Sequence, residues 1–296
     1  MTEPLLGRLI PAMITPFDKD LELDLPRAQE QALRLIDGGC DSILVCPTTG
    51  ECPTVIYSAK MKLFRAVIEA VDGKAKVLAN VGDNCTADSV EFARKVCALG
   101  VDGVMAVVPY YNKPPQEGLY RHFSAIAGGI DKPVILYNIP GRCVTNMEAE
   151  TTLRLARDCD NIVAIKEASG KWDQIKQICD EAPEGFSVYS GDDDATLKIM
   201  ELGGVGVIST IANVCPQRMR QIIDAFVAGD KERAYELNEK LSPLMKGLFK
   251  TTNPILVKEA LRLIGFDCGG LRLPLIDATP EQSAELAQTM REVGVL

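Results

Sequence analysis

Asn161-Ile162-Val163-Ala164-Ile165-Lys166-Glu167-Ala168-Ser169-Gly170 is a short, almost wholly apolar stretch closed by a cation and released into a small-residue turn. Its aliphatic residues do not alternate with polar ones, which is the pattern of a strand covered on both faces. Runs of the same kind recur at Leu9–Thr15, Ser42–Cys46, Lys76–Val81, Gly103–Val108, Pro133–Asn138, Ser187–Ser190 and Val205–Thr210. Between them lie helix-patterned stretches: Ala28–Ile36, Ala59–Ala70, Ser89–Ala98, Leu119–Ala127, Glu148–Ala156 and Ala195–Leu202. Gly and Asp punctuate the helix-to-strand passages, as in Gly38-Gly39-Cys40-Asp41 and Gly100-Val101-Asp102-Gly103. Apolar strands alternating with amphipathic helices imply a parallel sheet covered by helices. Eight such runs fit an α/β fold closed as a (β/α)8 TIM barrel better than an open doubly wound sheet. After Ala212 the strand-like runs stop, and Arg218–Ala228, Lys231–Lys250, Ile255–Ile264 and Pro280–Val293 read as helices. The first completes the barrel. The expected organisation is therefore a catalytic barrel over 1–229 and a small C-terminal helical extension over 230–296.

The 296 residues carry 32 basic and 41 acidic side chains, and the net charge of −9 argues against nucleic acid and anionic membranes as partners. No apolar run is long enough to span a bilayer, and the start Met1-Thr2-Glu3-Pro4-Leu5-Leu6-Gly7-Arg8 lacks the basic and apolar regions of a signal peptide. A cytoplasmic location is expected. The ten cysteines are scattered without a C-x-x-C pair, and His122 is the single histidine. A zinc site is not indicated, and the thiols are expected to be reduced. One histidine also removes most hydrolase mechanisms that need a His base. Acid–base work must fall to Lys, Tyr, Thr or carboxylates.

Barrel chemistry sits at the C-terminal ends of the strands, and Lys166 lies on that rim. A lysine stem can lie on the core while its head reaches water. An amine held in low dielectric instead loses its proton and becomes a nucleophile toward carbonyls. The rim supplies partners for the second reading. Thr48-Thr49-Gly50-Glu51 follows the second strand as a glycine-bearing turn entering a helix, suited to a small carboxylate, although an ordinary N-cap has the same composition. Tyr110-Tyr111-Asn112-Lys113-Pro114 and Tyr137 bring phenols that relay protons when buried beside a hydroxyl and an amine; aromatic packing accounts for any one of them alone. Arg142, after Ile139-Pro140-Gly141, offers a planar fork for a carboxylate, and also fits an ordinary surface position. Asp192-Asp193-Asp194 precedes a helix, where the dipole stabilises carboxylates, and is read that way rather than as a magnesium site. Gly203-Gly204-Val205-Gly206 precedes a strand instead of following one, so it is not a dinucleotide fingerprint. Trp172 and Met200 read as packing residues and His122 as structural.

The ordered set of motifs resembles the dihydrodipicolinate synthase (4-hydroxy-tetrahydrodipicolinate synthase) family, within the pyruvate-dependent class I aldolase and N-acetylneuraminate lyase superfamily. It comprises Thr15-Pro16-Phe17, Thr48-Thr49-Gly50-Glu51, Pro109 to Pro114, Tyr137 to Arg142, Ile165 to Gly170 and Ser190-Gly191-Asp192-Asp193, and continues through Asn253-Pro254 and Leu271-Arg272-Leu273-Pro274. The resemblance implies a lyase of lysine biosynthesis by the diaminopimelate route. Pyruvate would form a Schiff base on Lys166, and its enamine would add to L-aspartate 4-semialdehyde. Tyr137 would move protons, linked through Thr48 to Tyr111, and the family's counterpart of Tyr111 reaches into a neighbouring subunit's site. Thr49 and the Thr48-Thr49 backbone would hold the pyruvate carboxylate, and Arg142 that of the semialdehyde. Gly191 and the Ile208 carbonyl would line the lysine pocket. The resemblance implies a homo-oligomer, either a dimer or a tetramer built as a dimer of dimers. An imine is itself an electron sink, so the chemistry calls for no metal and no external cofactor.

Pro47 stands where the family usually has Gly, and Ala79-Asn80-Val81-Gly82-Asp83 replaces an Ala-Gly-Thr-Gly-Ser pattern. Pro47 should hold Cys46 in an extended conformation. At the family's feedback site for lysine, Asn84 and Tyr110 match, Asp88 replaces Glu, and Tyr57 and Lys60 replace histidines. Weak or absent lysine inhibition is expected. The rival readings are an N-acetylneuraminate lyase or a 2-keto-3-deoxy sugar acid aldolase, which share the lysine and tyrosine, and a non-catalytic pyruvate-binding regulatory protein.

Overall fold

The computed structural model describes residues 3–296. Its strands are β1 (Leu9–Pro11), β2 (Ser42–Val45), β3 (Lys76–Asn80), β4 (Gly103–Val107), β5 (Val134–Asn138), β6 (Ile162–Glu167), β7 (Ser187–Ser190) and β8 (Gly206–Ser209). They form one sheet in the order β1-β8-β7-β6-β5-β4-β3-β2, and the pairs from β3 to β8 are parallel. The two ends of that order meet as well. Ala12 and Leu44 form a parallel bridge, and the Met13 N–H donates to the Leu44 carbonyl at 3.0 Å. The fold is a (β/α)8 TIM barrel with C-terminal helices.

The helices are α1 (Leu25–Asp37), α2 (Tyr57–Val71), α3 (Thr86–Cys97), α4 (Gln116–Ala127), α5 (Pro140–Cys143), α6 (Ala149–Asp158), α7 (Trp172–Glu181), α8 (Thr196–Glu201), α9 (Pro216–Val227), α10 (Lys231–Gly247), α11 (Ile255–Leu263) and α12 (Pro280–Glu292). No helix among the described residues is long and apolar enough to cross a membrane.

Packing divides the chain into two compact units. One comprises Leu9–Lys76 with Ser209–Leu296. Its helix α1 begins where the Asp24 carboxylate accepts from the Arg27 N–H at 2.9 Å, and it buries Ala28, Gln31, Ala32 and Leu35 at helical spacing. Helix α9 starts on Pro216 and buries Met219, Ile222, Ile223 and Phe226 in the same rhythm. Burial of each large aliphatic side chain contributes roughly 1.5–3 kcal/mol. A Thr279–Gln282 capping box opens α12. Helix α11 is buried along seven consecutive residues, Ile255 to Leu261, so its Lys258 and Glu259 need partners inside the protein.

The other unit is Val77–Ile208 with the short lead-in before Leu9. Strands β4, β5 and β6 are nearly buried from end to end, which is why their sequences are continuous rather than alternating. The register sets Tyr137 of β5 beside Lys166 of β6, and Lys166 beside Tyr189 of β7. Paired residues of parallel strands share a face, and their successors take the opposite one. Asn138, Glu167 and Ser190 therefore share the other face.

Candidate active site

Lys166 ends an apolar strand and is 5% exposed. Its ammonium lies 4.4 Å from the centre of the Tyr137 ring, a face that attracts a cation. Burial is the chief cause that takes its pKa from the ordinary lysine value down to about 8. The Arg142 charge pushes the same way, while Asp192 and Asp193 oppose it. The result is an amine with a neutral fraction far larger near neutrality than an ordinary lysine has, and the neutral form is the nucleophile toward a carbonyl. Asp192 responds in kind: burial raises its pKa, and the Lys166 charge holds it down.

Tyr137 is buried next to this amine. Arg142 stands in the single turn of α5, exposed yet close enough for its charge to act on Lys166. Gly191 follows β7, where its N–H donates to the Glu167 carbonyl at 2.8 Å. A Cβ there would sit 2.6 Å from the Ala168 Cβ, so only glycine allows this approach. Ile208 lies in β8, fully buried.

Tyr111 is placed differently. It is 90% exposed, and its backbone is left-handed at φ 72, an uncommon conformation for a non-glycine residue. The turn beneath it is pinned: the Asn112 N–H and the Asn84 Nδ2 both donate to the Tyr110 carbonyl, at 2.9 and 3.2 Å, and the Asn112 Nδ2 donates to the Asn84 carbonyl at 2.9 Å. The loop holds a large aromatic ring out into solvent.

The Thr48–Glu51 turn belongs to the first unit. It was expected to enter a helix, and it does not. The Gly50 and Glu51 N–H groups bond back to the Pro47 and Thr48 carbonyls at 3.0 Å each, and a three-residue 3-10 turn, Cys52–Thr54, precedes α2. The turn therefore does not present a helix N-terminus. The expectation of an extended Cys46 is also overturned. Cys46 is left-handed at φ 54, because the turn folds back so tightly that a Cβ on Gly50 would lie 3.0 Å from the Cys46 Cα. Tertiary closure outweighs the restriction that Pro47 imposes. Thr49 is buried; its hydroxyl accepts from the Asn253 Nδ2 at 2.9 Å and lies 3.5 Å from that of Thr210.

His122 is buried within α4, with its Nδ1 2.9 Å from the Thr86 hydroxyl, and burial takes its pKa down to about 4. It serves packing. None of the ten cysteines is joined in a disulfide. Asp193 and Asp194 lie in a 3-10 turn before α8. The sequence reading assigned the acidic run to a helix dipole and missed the field that Asp192 and Asp193 exert on Lys166.

A profile of the Dihydrodipicolinate synthetase family matches residues 5–293. The chain belongs to this family. The 4-hydroxy-tetrahydrodipicolinate synthase of Moorella thermoacetica is 51% identical over 290 residues, covering 98% of this chain and 99% of that protein. The solved dihydrodipicolinate synthase of Cyanidioschyzon merolae, with lysine bound, superimposes with a TM-score of 0.98 at 43% identity, covering 99% of this chain and 100% of that one. The chloride-inhibited dihydrodipicolinate synthase of Acinetobacter baumannii, complexed with pyruvate, gives 0.95 at 35% identity, covering 98% and 100%.

Proposed function

We propose that this chain condenses pyruvate with L-aspartate 4-semialdehyde to give 4-hydroxy-tetrahydrodipicolinate and water, on the diaminopimelate route to lysine. The observation that carries the reading is Lys166, a buried amine beside a phenol with its pKa lowered to about 8, in a chain half identical to an enzyme of that name. The neutral Lys166 amine attacks the pyruvate C2 carbonyl, water leaves, and an imine forms. Loss of a C3 proton gives the enamine, whose C3 bonds to the aldehyde carbon of the semialdehyde. The substrate's own amino group then attacks the imine carbon, which closes the ring and releases Lys166. Tyr137 passes protons to and from the adduct, with Thr48 and Tyr111 as further members of the relay. Thr48 and Thr49 take the pyruvate carboxylate and Arg142 that of the semialdehyde. Gly191 and the Ile208 carbonyl line the pocket around Lys166. The imine supplies the electron sink, so no step calls for a metal or cofactor.

The exposed, strained Tyr111 supports a homo-oligomer, dimeric or tetrameric, in which this ring serves a neighbouring copy's site. Residues 230–296 are proposed to be an extension of a 1–229 catalytic barrel, and the protein to act in the cytoplasm. Purified protein given pyruvate with each candidate aldehyde should turn over with the semialdehyde. Turnover only with N-acetylmannosamine or a sugar-derived aldehyde would favour the sugar-acid aldolase readings and refute this one. Binding of pyruvate without turnover of any aldehyde would favour a regulatory protein.

Weak or absent inhibition by lysine is expected. The Lys60 ammonium lies 5.2 Å from the centre of the Tyr57 ring, at positions where the resemblance puts the feedback site, and a second cation there repels a cationic ligand. A half-inhibitory concentration well below millimolar would contradict this.

A further inference from the structure

The face of the sheet opposite to Lys166 and Tyr137 carries a polar cluster to which the proposed chemistry assigns no task. Glu167 is 1% exposed, and burial raises its pKa although several donors hold it down. Its carboxylate accepts from the Asn138 Nδ2 at 3.2 Å to each oxygen, from the Ser169 N–H at 2.8 Å and from the Gln174 Nε2 at 3.3 Å. Asn138, the residue after Tyr137, faces the segment that follows β5: its Oδ1 accepts from the Met147 N–H at 3.0 Å, and its Nδ2 reaches the Asn146 Oδ1 at 3.1 Å. Gln174 of α7 closes the ring. Its Oε1 accepts from the Asn146 Nδ2 at 2.9 Å, and its Nε2 donates to the Met147 carbonyl at 3.2 Å. Gln116, at the start of α4, adds an outer tie by donating to the Asn146 carbonyl at 2.8 Å.

The bonds from Asn138, Gln174 and Gln116 converge on the end of one short segment, the one that carries Arg142. The segment is strained. Val144, two residues after Arg142, is left-handed at φ 59 and 71% exposed, a conformation that a β-branched residue adopts only when its surroundings impose it. An exposed side chain gains too little from its own contacts to impose anything. The restraint comes from both sides of the reversal: the Val144 N–H bonds to the Pro140 carbonyl at 2.8 Å, and Asn146 and Met147 are tied to the buried cluster. Satisfied polar clusters in low dielectric are rigid and fix one conformation.

We propose that Asn138, Glu167, Gln174 and Asn146 form a positioning lock that holds the strained Arg142 segment ready for the carboxylate of the second substrate. The lock touches neither substrate and acts through Arg142, so the inference rests on the proposed role of that residue. Losing the lock raises the KM for the aldehyde substrate without slowing formation of the pyruvate imine, because Lys166 and Tyr137 are held by the sheet itself.

Gln174→Met keeps the length of the side chain and removes its bonds to Asn146, Met147 and Glu167. Its KM for the semialdehyde should rise about tenfold or more, while the rate of borohydride trapping with pyruvate and the KM for pyruvate stay within about twofold. Gln116→Leu, on the outer rim, should give the same split with a smaller rise, and covers the case in which Gln174→Met folds poorly. In an Arg142→Ala background, Gln174→Met should add nothing further to the semialdehyde KM. Equal losses with both substrates, or a full additional rise in the Arg142→Ala background, would overturn the lock. An Arg142→Ala variant whose semialdehyde KM is unchanged would instead remove the role of Arg142, and the lock with it.

Discussion

Lys166→Met should abolish condensation and, at neutral pH, make the protein more stable. Loss of the nucleophile lowers kcat by about 10⁴-fold or more, since the residues proposed to act with it have no imine to work on. The gain in stability follows from the lowered pKa. Unfolded, Lys166 titrates at its ordinary 10.5; folded, at about 8. Below pH 8 both states are protonated and the folded state carries the whole cost of a buried charge, about 3 kcal/mol. Between pH 8 and 10.5 the unfolded chain binds more protons than the folded one, so the stability of the natural protein rises with pH. Above 10.5 the cost is gone. The stabilisation by methionine should therefore be largest below pH 8 and shrink to nothing above 10.5, as urea titrations across that range would measure. A variant less stable at pH 7 would mean that Lys166 is held as a well-compensated cation. The same shift predicts that kcat/KM for pyruvate in the natural protein rises with pH through about 8.

Lys258→Met should cost about 3–5 kcal/mol of unfolding free energy, the usual result of stranding one member of a buried ion pair. Lys258 and Glu51 are paired at 2.7 Å with side chains 2% and 0% exposed. The ammonium also donates to the Gly270 carbonyl at 2.8 Å and lies 4.2 Å from the centre of the Phe17 ring. The second Glu51 oxygen accepts from the Arg272 N–H at 3.0 Å. Glu51 is left-handed at φ 55 and closes the turn that bears Thr48 and Thr49, so the pair fixes a strained turn as well as joining α11 to it. Against a typical total of about 5–15 kcal/mol, the loss is large. Adding Glu51→Gln removes the stranded charge and should restore much of it. Denaturant melts of the two variants provide the measurement; a loss below about 1 kcal/mol for Lys258→Met would show that the pair carries little of the fold.

The strand runs were legible because parallel strands buried on both faces are written as continuous apolar stretches. Where they were read too long, the chain had left the ladder while remaining buried. The run Leu9–Thr15 yields a strand over Leu9–Pro11 only, since beyond it Ala12 makes an isolated bridge and the Ile14 N–H donates to the Asn213 side chain at 3.0 Å. Helix α7 escaped the periodic reading because Ile175 and Ile178 are its only buried residues, too few for an apolar stripe. Lys166 and Tyr137 could be picked out because each ends an apolar run. The ties that hold the Thr48–Glu51 turn and the Arg142 segment could not. Arg272 bonds to Glu51 from 221 positions away, and Glu167, Asn146 and Gln174 meet only after β5, β6 and α7 have packed. Polar side chains in such places look like surface until the fold gives them partners.

Borohydride reduction with pyruvate, followed by peptide mass spectrometry, tests the central claim most directly. The account predicts one covalent three-carbon adduct per chain, on Lys166, and none on the Lys166→Met variant. A protein that turns over the semialdehyde but carries no adduct, or carries it on another lysine, would contradict it.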